Sequence, residues 1–271
     1  MSGKQKTAIV TGSSRGIGRA IAERLADDGV AVVINYTQNP GGADDVVKGI
    51  TARGGKAVAI QADVSKAAEV RRLFDQAEKS FGRPDIVVAN AGVFLMKPLA
   101  ESSDEDYDYV FNINTKGVFL TLREAASRVK DGGRILVVSS GGTQMHFPGA
   151  SLYLGSKGAI EQFARTLSRE VGPRSVTVNT LSPGFTETDM LLSGDEQLRA
   201  LGASMSPFNR IGTSAEVADV AAFLASDDAQ FLTGLSIAAD ETVANWSPNR
   251  EYPLVFASSF IDNRQPDHAK R

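Results

Sequence analysis

Tyr153 and Lys157 are the two side chains whose types and spacing most directly suggest chemistry. They are four residues apart in a predicted helix, which places them on one helix face, about 5–6 Å apart at Cβ. A nearby ammonium favours phenolate over phenol, and we therefore expect Lys157 to lower the pKa of Tyr153 from about 10. Such a phenol can exchange a proton with a substrate oxygen. Taken alone, the spacing also fits an ordinary Tyr and Lys on a helix surface, and the rest of the chain must decide.

Short strands rich in β-branched residues alternate with amphipathic helices along the chain. The predicted strands span residues 7–10, 31–36, 56–62, 85–90, 134–139, 176–181 and 235–239. This alternation is typical of one parallel sheet with helices on both faces. We therefore expect an α/β protein with a doubly wound sheet of about seven parallel strands. The sheet and its helices are expected to form a single domain, residues 1–240, followed by a tail, residues 241–271.

Capping residues predict where three of the helices begin. Ser65 is expected to cap the helix after the third strand. Ser102 with Glu105, and Thr213 with Glu216, have the spacing of a capping box, in which each side chain bonds the other residue's backbone N–H. These pairs predict helices that begin near residues 102 and 213.

The composition excludes several classes of function. The 271 residues carry a net charge of −3, which gives no general attraction to nucleic acid or to anionic membranes. The absence of cysteine excludes disulfides, thiolate metal ligands and a cysteine nucleophile, and two histidines make a metal site unexpected. The chain opens without a long apolar segment for a signal or a membrane span, and a cytoplasmic protein is expected.

A glycine-rich turn follows the first predicted strand and opens the first helix. Its glycines, Gly12, Gly16 and Gly18, are spaced Gly-x-x-x-Gly-x-Gly. Backbone N–H groups and the helix dipole at a helix start favour a phosphate, which glycine lets approach closely. A tight turn without a ligand would have the same composition, but the position after the first strand favours a dinucleotide site.

The end of the second predicted strand bears on which dinucleotide is bound. NAD sites usually place an acidic residue there, on the ribose 2′-hydroxyl. This chain instead has the uncharged Asn35, Tyr36 and Thr37, while Arg15 in the glycine-rich turn can pair with a 2′-phosphate. An exposed arginine without this role is also common, yet the two features together predict NADPH/NADP+ as the cofactor.

With these features, a set of short motifs resembles the short-chain dehydrogenase/reductase family across residues 6–239. The motifs are Thr11-Gly12-x-x-x-Gly16-x-Gly18, Asp63-Val64, Asn90-Ala91-Gly92, Asn114, Ser140, Tyr153-x-x-x-Lys157 and Pro183-Gly184. Among subgroups, the chain is most similar to bacterial 3-oxoacyl-acyl-carrier-protein reductases and fungal polyhydroxynaphthalene reductases. The resemblance implies a Rossmann-type fold and an NADP(H)-dependent oxidoreductase acting on CH–OH and C=O groups.

The resemblance also implies roles for individual residues. Tyr153 would be the general acid/base, and Lys157 would lower its pKa and hold the nicotinamide ribose. Ser140 would bond the substrate oxygen, with Ser139 as the alternative, while Asn114 would stabilise a helix kink and a water, or be an ordinary amide. The implied cofactor-binding residues are Gly12, Ser14, Arg15, Gly16, Ile17, Gly18, Asn35, Tyr36, Thr37, Asp63, Val64, Asn90, Ala91, Gly92, Tyr153, Lys157, Pro183, Gly184, Thr186 and Thr188.

Residues 185–210 are the least regular part of the body and are predicted to form a lid over the nicotinamide. Apolar residues that include Met suit an adaptable hydrophobic pocket. The predicted pocket residues are Ser140, Met145, His146, Phe185, Met190 and Leu191. His146 is expected to line the pocket rather than to catalyse, because Tyr153 already fills the acid role. Leu198 and Leu201 are expected to pack the lid onto the body.

The C-terminal edge departs from the family pattern. The chain reads Ala239-Asp240-Glu241-Thr242 where the family usually has Asp-Gly-Gly, and the tail is longer than is typical. A homotetramer is expected, mainly from the resemblance, with small residues on the Asn114 and Tyr153 helices that allow close packing. Residues 246 and 253–256 of the tail are expected to cover a neighbouring subunit or a pocket mouth, with a loosely ordered tail as the alternative.

The predicted function is NADPH-dependent reduction of a small ketone, hydrophobic or aromatic, or the reverse oxidation of an alcohol. The alternatives are a non-catalytic NADP(H)-binding regulatory protein and a structural protein on the same fold. Such proteins would be expected to have lost the Tyr, the Lys or the Ser, and this chain has all three.

Overall fold

The computed structural model describes residues 5–145, 147–188 and 196–239, without the side chains of residues 197 and 198. The strands are β1 (Thr7–Val10), β2 (Ala31–Tyr36), β3 (Ala57–Gln61), β4 (Ile86–Ala89), β5 (Arg134–Val138), β6 (Thr177–Pro183), β7 (Thr186–Glu187), β8 (Gly212–Thr213) and β9 (Ser236–Ala239). Seven of them form one parallel sheet in the order β3-β2-β1-β4-β5-β6-β9, and β7 pairs separately with β8. The strand order reverses between β1 and β4, which is where ligands bind in open α/β sheets.

Helices cover both faces of this sheet. They are α1 (Gly16–Asp27), α2 (Pro40–Ala52), α3 (Ala67–Phe81), α4 (Asp104–Phe111), α5 (Gly117–Arg128), α6 (Ser151–Val171), α7 (Glu196–Met205) and α8 (Ser214–Ala225). One core lies under α1, α2 and α8, and the other lies under α3, α5 and α6. Side chains such as Ile21 and Phe74 are fully buried in these cores, and burial of each stabilises the fold by about 1.5–3 kcal/mol.

The doubly wound parallel sheet predicted from the sequence is confirmed. Strand ends differ from the predicted ones by one or two residues, as is usual for such boundaries. The capping box of Thr213 and Glu216 is present at the start of α8. The short pair β7 and β8 was not predicted, because two-residue strands carry no periodicity.

Two capping predictions were wrong. Helix α3 begins after Lys66 and has no side-chain cap, because the Ser65 hydroxyl donates to Asp63 Oδ1 at 2.7 Å instead. The capping box of α4 is formed by Ser103 and Asp106, one residue later than Ser102 and Glu105.

The predicted tail, residues 241–271, lies outside the described residues, as do His146, Met190 and Leu191. Within the described part of the chain, no helix combines the length and apolar character needed to cross a membrane. The same part contains no cluster of His, Asp and Glu side chains placed to hold a metal ion.

Candidate active site

The glycine-rich turn between β1 and α1 can be built only with glycine at two positions. Gly12 has φ +63, and a Cβ there would lie 2.8 Å from the Cα of Ala91. A Cβ on Gly18 would lie 2.4 Å from the Asn90 amide nitrogen and 2.5 Å from the Gly12 carbonyl oxygen. Arg15, which precedes the first turn of α1, makes no side-chain cap. The N–H groups of that turn are therefore available to a phosphate.

Two amide side chains hold this turn in place. Asn90 donates from Nδ2 to the carbonyl oxygens of Thr11 and Gly12, at 2.9 and 3.1 Å. Asn35 accepts from the Gly12 N–H at 3.1 Å and donates to the carbonyl of Ala62 at 3.0 Å. The Asn35 side chain is 1% exposed. Asn35 therefore shapes the turn from inside the fold, rather than offering a free amide at the strand end.

The surroundings of the turn are polar and open on one side. Arg15 is exposed, and no acidic partner is found for it among the described residues. The start of α2 approaches the turn, since a Cβ on Gly42 would lie 3.1 Å from the Ser14 carbonyl oxygen. Tyr36 is partly exposed, and the Thr37 hydroxyl donates to the Ala62 carbonyl at 3.3 Å. The side chain of Ile17 packs against the first core.

Asp63 and Val64 follow β3 at the same edge of the sheet. Burial alone would raise the pKa of the Asp63 carboxyl, but hydrogen bonds from Ser65 and Lys66 outweigh it and lower the pKa. Val64 is buried, and a Cβ on Gly117 would lie 2.8 Å from its Cγ2. The side chain of Val64 thus packs on α5, and its backbone is what remains to face a ligand.

The serine, tyrosine and lysine singled out from the sequence come together where β5 ends and α6 begins. Ser140 follows β5, and its hydroxyl accepts from the N–H of Gly142 at 3.2 Å. The Ser140 hydroxyl lies close enough to the Tyr153 phenol to affect its pKa. Lys157 lies one helical turn further along α6, is 4% exposed, and donates from Nζ to the carbonyl oxygen of Val138 at 2.9 Å.

The pKa of Tyr153 does not follow the simple expectation from its spacing to Lys157. Burial raises the pKa of the Tyr153 phenol, and the nearby Ser140 hydroxyl lowers it without reversing the shift. The Lys157 Nζ lies 5.9 Å from the centre of the Tyr153 ring and bonds to Val138. Burial lowers the pKa of Lys157 to about 8, while the charge of Glu161 raises it.

Asn114 lies in a π-helical turn, Asn112–Lys116, that joins α4 to α5. Its Oδ1 accepts from the Val93 N–H at 2.8 Å, and its Nδ2 donates to the Ser156 hydroxyl at 3.0 Å. A Cβ on Gly92 would lie 3.2 Å from Asn114 Oδ1 and 3.4 Å from Lys157 Nζ. Asn114 therefore ties the chain after β4 to the helix that carries Tyr153 and Lys157.

The segment after β6 closes the site from the other side. A Cβ on Gly16 would lie 3.7 Å from Thr188 Cγ2, so this segment reaches the glycine-rich turn. The Thr186 hydroxyl donates to the carbonyl of Gly184 at 3.1 Å, just after Pro183 at the end of β6. The sequence-predicted cofactor residues at residues 12–18 and 183–188 thus lie against one another.

Helix α7 packs onto this segment through a glycine. A Cβ on Gly202 would lie 2.7 Å from Phe185 Cγ, so a larger residue would displace the ring. Arg199 donates to Glu187 at 2.8 Å, and Met205 is 3% exposed. Leu201 is partly buried, in agreement with a packing role for this part of the lid.

Aromatic side chains line the space beside Tyr153. Phe94 packs edge-on against the Tyr153 ring, with 4.9 Å between ring centres. Phe147 and Phe185 meet edge-on at 6.0 Å, and Met145, two residues before Phe147 in the chain, is buried. Phe94 was not predicted from the sequence, although its position two residues after the Asn90-Ala91-Gly92 motif was a usable signal.

A parallel sheet with a glycine-rich turn after β1, and a Ser-Tyr-Lys cluster after β5, is typical of dinucleotide-dependent oxidoreductases. The family model described as enoyl-(acyl carrier protein) reductase matches residues 12–242. The chain belongs to the short-chain dehydrogenase/reductase family.

Two relatives illustrate the extent of the similarity. An uncharacterised oxidoreductase of Methylorubrum extorquens is 43% identical over 233 residues, which cover 84% of this chain and 94% of the relative. Elsinochrome reductase 1 of Elsinoe fawcettii is 41% identical over 248 residues, which cover 87% of this chain and 93% of the relative. The similarity therefore extends over nearly the whole length of both relatives.

Two solved structures share the fold. A short-chain dehydrogenase of Burkholderia cenocepacia in complex with NADP is 37% identical with a TM-score of 0.85, covering 89% of this chain and 99% of that one. The angucycline C-6 ketoreductase LanV with bound NADP is 40% identical with a TM-score of 0.83, covering 86% and 93%. Both of these relatives bind NADP.

Proposed function

We propose that this protein reduces a ketone with NADPH, or oxidises the corresponding alcohol in reverse, with Tyr153 as the general acid/base. The observation that carries the proposal is that Ser140 lies beside Tyr153 at the carboxyl end of β5, where Lys157, one helical turn further along α6, bonds to the Val138 carbonyl. NADPH supplies a hydride to the carbonyl carbon when it is bound. The protein must then orient the ketone and provide a proton to its oxygen.

The residues around the glycine-rich turn fit NADPH. Gly12 and Gly18 sit where a Cβ would collide with neighbouring atoms, so the backbone there can come close to a pyrophosphate. Exposed Arg15 can form charge-assisted hydrogen bonds to a 2′-phosphate, and the strand end at Tyr36 and Thr37 offers no carboxylate to repel it. NADP in the two solved relatives supports the same choice.

Three side chains have separate roles in the proposed reduction of the ketone. In the proposed reaction, the ketone oxygen accepts hydrogen bonds from the hydroxyls of Ser140 and Tyr153. Tyr153 donates its proton to that oxygen as negative charge develops on it. The ammonium of Lys157 favours the phenolate that remains, and a ribose hydroxyl can replace Val138 among its hydrogen-bond acceptors.

The substrate we infer is a hydrophobic or aromatic ketone. Phe94 packs against the Tyr153 ring, and Phe147, which lies with Ser140 beside Gly142, packs against Phe185. These rings provide aromatic surface near the proposed reacting position for such a ketone. Elsinochrome reductase and an angucycline ketoreductase among the similar proteins support this class. Met190 and Leu191 remain predicted pocket residues from the sequence alone.

We also propose that the protein assembles as a homotetramer through the face formed by α4, α5 and α6. Large aromatic side chains are exposed there, among them Tyr107, Phe119 and Phe163. Gly155 and Gly158 are exposed on the same helix α6, and a Cβ on Gly158 would have nothing within 4 Å. An apolar face with small residues is suited to close packing against a second copy of the chain.

A panel of ketones, assayed by loss of NADPH absorbance with NADH in parallel, tests the proposed function. We expect turnover with NADPH on at least one aromatic or hydrophobic ketone, and turnover slower by about 10²–10⁴-fold with the Tyr153→Phe protein. NADPH binding without turnover on any ketone or alcohol would favour a non-catalytic NADP(H)-binding protein. Absence of NADPH binding would refute the proposal.

A further inference from the structure

Glu161 is a buried acidic side chain to which the proposed reaction assigns no role. It lies on α6, one turn after Lys157, and is 7% exposed. Burial of a carboxylate is costly unless hydrogen bonds or opposite charges compensate for it. The contacts of Glu161 therefore show which groups compensate for the burial of its carboxylate.

One carboxylate oxygen of Glu161 binds the chain on both sides of Ser140. Its Oε1 accepts from the Ser139 hydroxyl at 2.7 Å and from the Thr143 hydroxyl at 2.8 Å. The Thr143 hydroxyl also lies 3.0 Å from the Ser140 carbonyl oxygen, but its single hydrogen serves one acceptor at a time. Since hydrogen bonds to a charged acceptor are the stronger ones, the carboxylate is the favoured acceptor.

The carboxylate also lies between two cations on its own helix. Arg165 Nη2 is 3.6 Å from Glu161 Oε2, with half of the Arg165 side chain exposed. Lys157 is one turn earlier, on the buried side. Glu161 raises the pKa of Lys157 against the stronger effect of burial, which lowers it to about 8.

The other groups that face Lys157 within the described residues carry no fixed charge. They are the Tyr153 phenol on α6, the Val138 carbonyl at the end of β5, and the Asn114 amide in the π-helical turn beside Gly92. Glu161 is therefore the charged group in this part of the molecule that opposes the loss of the Lys157 proton.

We propose that Glu161 is a positioning residue: it holds the chain on both sides of Ser140, and it places a negative charge near the Lys157 ammonium. The inference rests on the proposed function, in which Ser140 orients the ketone and Lys157 acts as a cation. In this role, Glu161 acts through Ser140 and Lys157 rather than by contact with substrate or cofactor. It links two active-site elements, the end of β5 and helix α6, through one carboxylate.

Two substitutions separate the two effects of Glu161. Glu161→Gln keeps an acceptor oxygen for Ser139 and Thr143 but removes the charge. Thr143→Val keeps the charge and the side-chain shape but removes one hydrogen bond. Glu170→Gln, on the exposed surface of the same helix, is the matched control for the loss of a carboxylate from α6.

The first readout needs no turnover. In protein labelled at the lysine ε-carbon, ¹³C NMR follows the titration of Lys157, whose signal is assigned by its absence in Lys157→Met. We expect the midpoint to fall by about one pH unit in Glu161→Gln, because the negative charge that stabilises the Lys157 ammonium is lost. It should stay at the wild-type value in Thr143→Val and in Glu170→Gln.

The second readout is the pH profile of ketone reduction. In Glu161→Gln, the alkaline limb of kcat/KM should move to lower pH together with the NMR midpoint. Thr143→Val should instead lower kcat by about threefold to tenfold, as expected for one hydrogen bond, with the KM for NADPH and the alkaline limb unchanged.

An unchanged NMR midpoint and alkaline limb in Glu161→Gln would overturn the inference. If that variant does not fold, unchanged kcat in both Ser139→Ala and Thr143→Val would overturn it instead. Inactivity of the wild-type protein on every ketone would refute the proposed function, whereas the NMR midpoint would still test the charge effect of Glu161.

Discussion

The ammonium of Lys157 donates to the carbonyl oxygen of Val138 at 2.9 Å, and this contact ties helix α6 to the end of strand β5. It places a cation in the interior of the protein, where its main compensation is one carbonyl and the charge of Glu161. Burial accordingly lowers the pKa of Lys157 to about 8. The buried charge therefore destabilises the folded protein relative to the unfolded chain, in which Lys157 is solvated.

This cost predicts that Lys157→Met increases the free energy of unfolding of the cofactor-free protein at pH 7. Below about pH 8 the lysine is charged in both states, and the folded state carries the full cost. Between about 8 and 10.5 the unfolded chain binds more protons, so wild-type stability rises with pH across this window. The lowered pKa of Lys157 corresponds to a loss of about 3 kcal/mol in the free energy of unfolding. In Lys157→Met the Val138 carbonyl loses its hydrogen-bond donor, which reduces the gain by roughly 1 kcal/mol.

We therefore expect a gain of about 2 kcal/mol in the free energy of unfolding at pH 7, fading toward pH 10.5, measured by urea denaturation. Lys79→Met, an exposed lysine on α3, is the control and should change stability little at either pH. A Lys157→Met protein less stable than wild type at pH 7 would contradict this account of the buried charge.

Arg15 should determine the choice of cofactor. Arg15→Ala removes the charge-assisted hydrogen bonds proposed for the 2′-phosphate, which are worth about 1.5–3 kcal/mol. We expect the KM for NADPH to rise by about 10–100-fold while the KM for NADH changes little. Arg19→Ala is the matched control, because Arg19 lies in the helix that Arg15 precedes and pairs with Glu23 at 3.0 Å. Equal efficiency of the wild type with both cofactors would contradict the preference.

The sheet could be predicted because its inner strands are buried on both faces, which makes them short, nearly continuous apolar runs between helices. The start of α4 could not be predicted to the residue. Ser102 and Ser103 are adjacent and several acids follow, so two capping boxes fit one residue apart. In the folded protein Lys97 bonds to Asp106 at 2.6 Å, and this contact from outside the helix favours the second pair.

Candidate site residues with a fixed spacing could be predicted from the sequence, whereas contacts between distant segments could not. Tyr153 and Lys157 are recognisable because a helix fixes their relation. Two contacts depend on how β4, β5 and α6 pack, which no local sequence pattern encodes. They are the contact of Phe94 with the Tyr153 ring and the hydrogen bond between Ser139 and Glu161. The pKa of Tyr153 was misjudged for the same reason: the spacing shows a neighbouring cation, but burial is a property of the whole fold.

The proposed assembly predicts a particular effect at Gly158. A Cβ at this position meets nothing within 4 Å in the single chain, so Gly158→Gln should be accommodated and should favour the helix by about 0.5–1 kcal/mol. In the tetramer the larger side chain would stand on the packed face. We expect light scattering to show a smaller species than the wild type, with a folded protein by circular dichroism.

Gly49→Gln, in the middle of α2 and away from this face, is the control and should leave the wild-type mass unchanged. A monomeric wild-type protein would refute the homotetramer outright. A Gly158→Gln protein with the wild-type mass would instead show that Gly158 on α6 is not part of the interface.

Tyr153→Phe is the most direct test of the reaction. The substitution deletes only the hydroxyl, and the Phe94 contact with the ring is retained, so the fold and NADPH binding should persist. Turnover should fall by about 10²–10⁴-fold, the usual loss for a positioned general acid. Ser140 cannot replace it, because a serine hydroxyl is a far weaker acid than a phenol. Stopped-flow turnover and fluorescence titration of NADPH separate the two effects. Near wild-type reduction by Tyr153→Phe would disprove the acid role, and loss of NADPH binding would assign the hydroxyl to the cofactor instead.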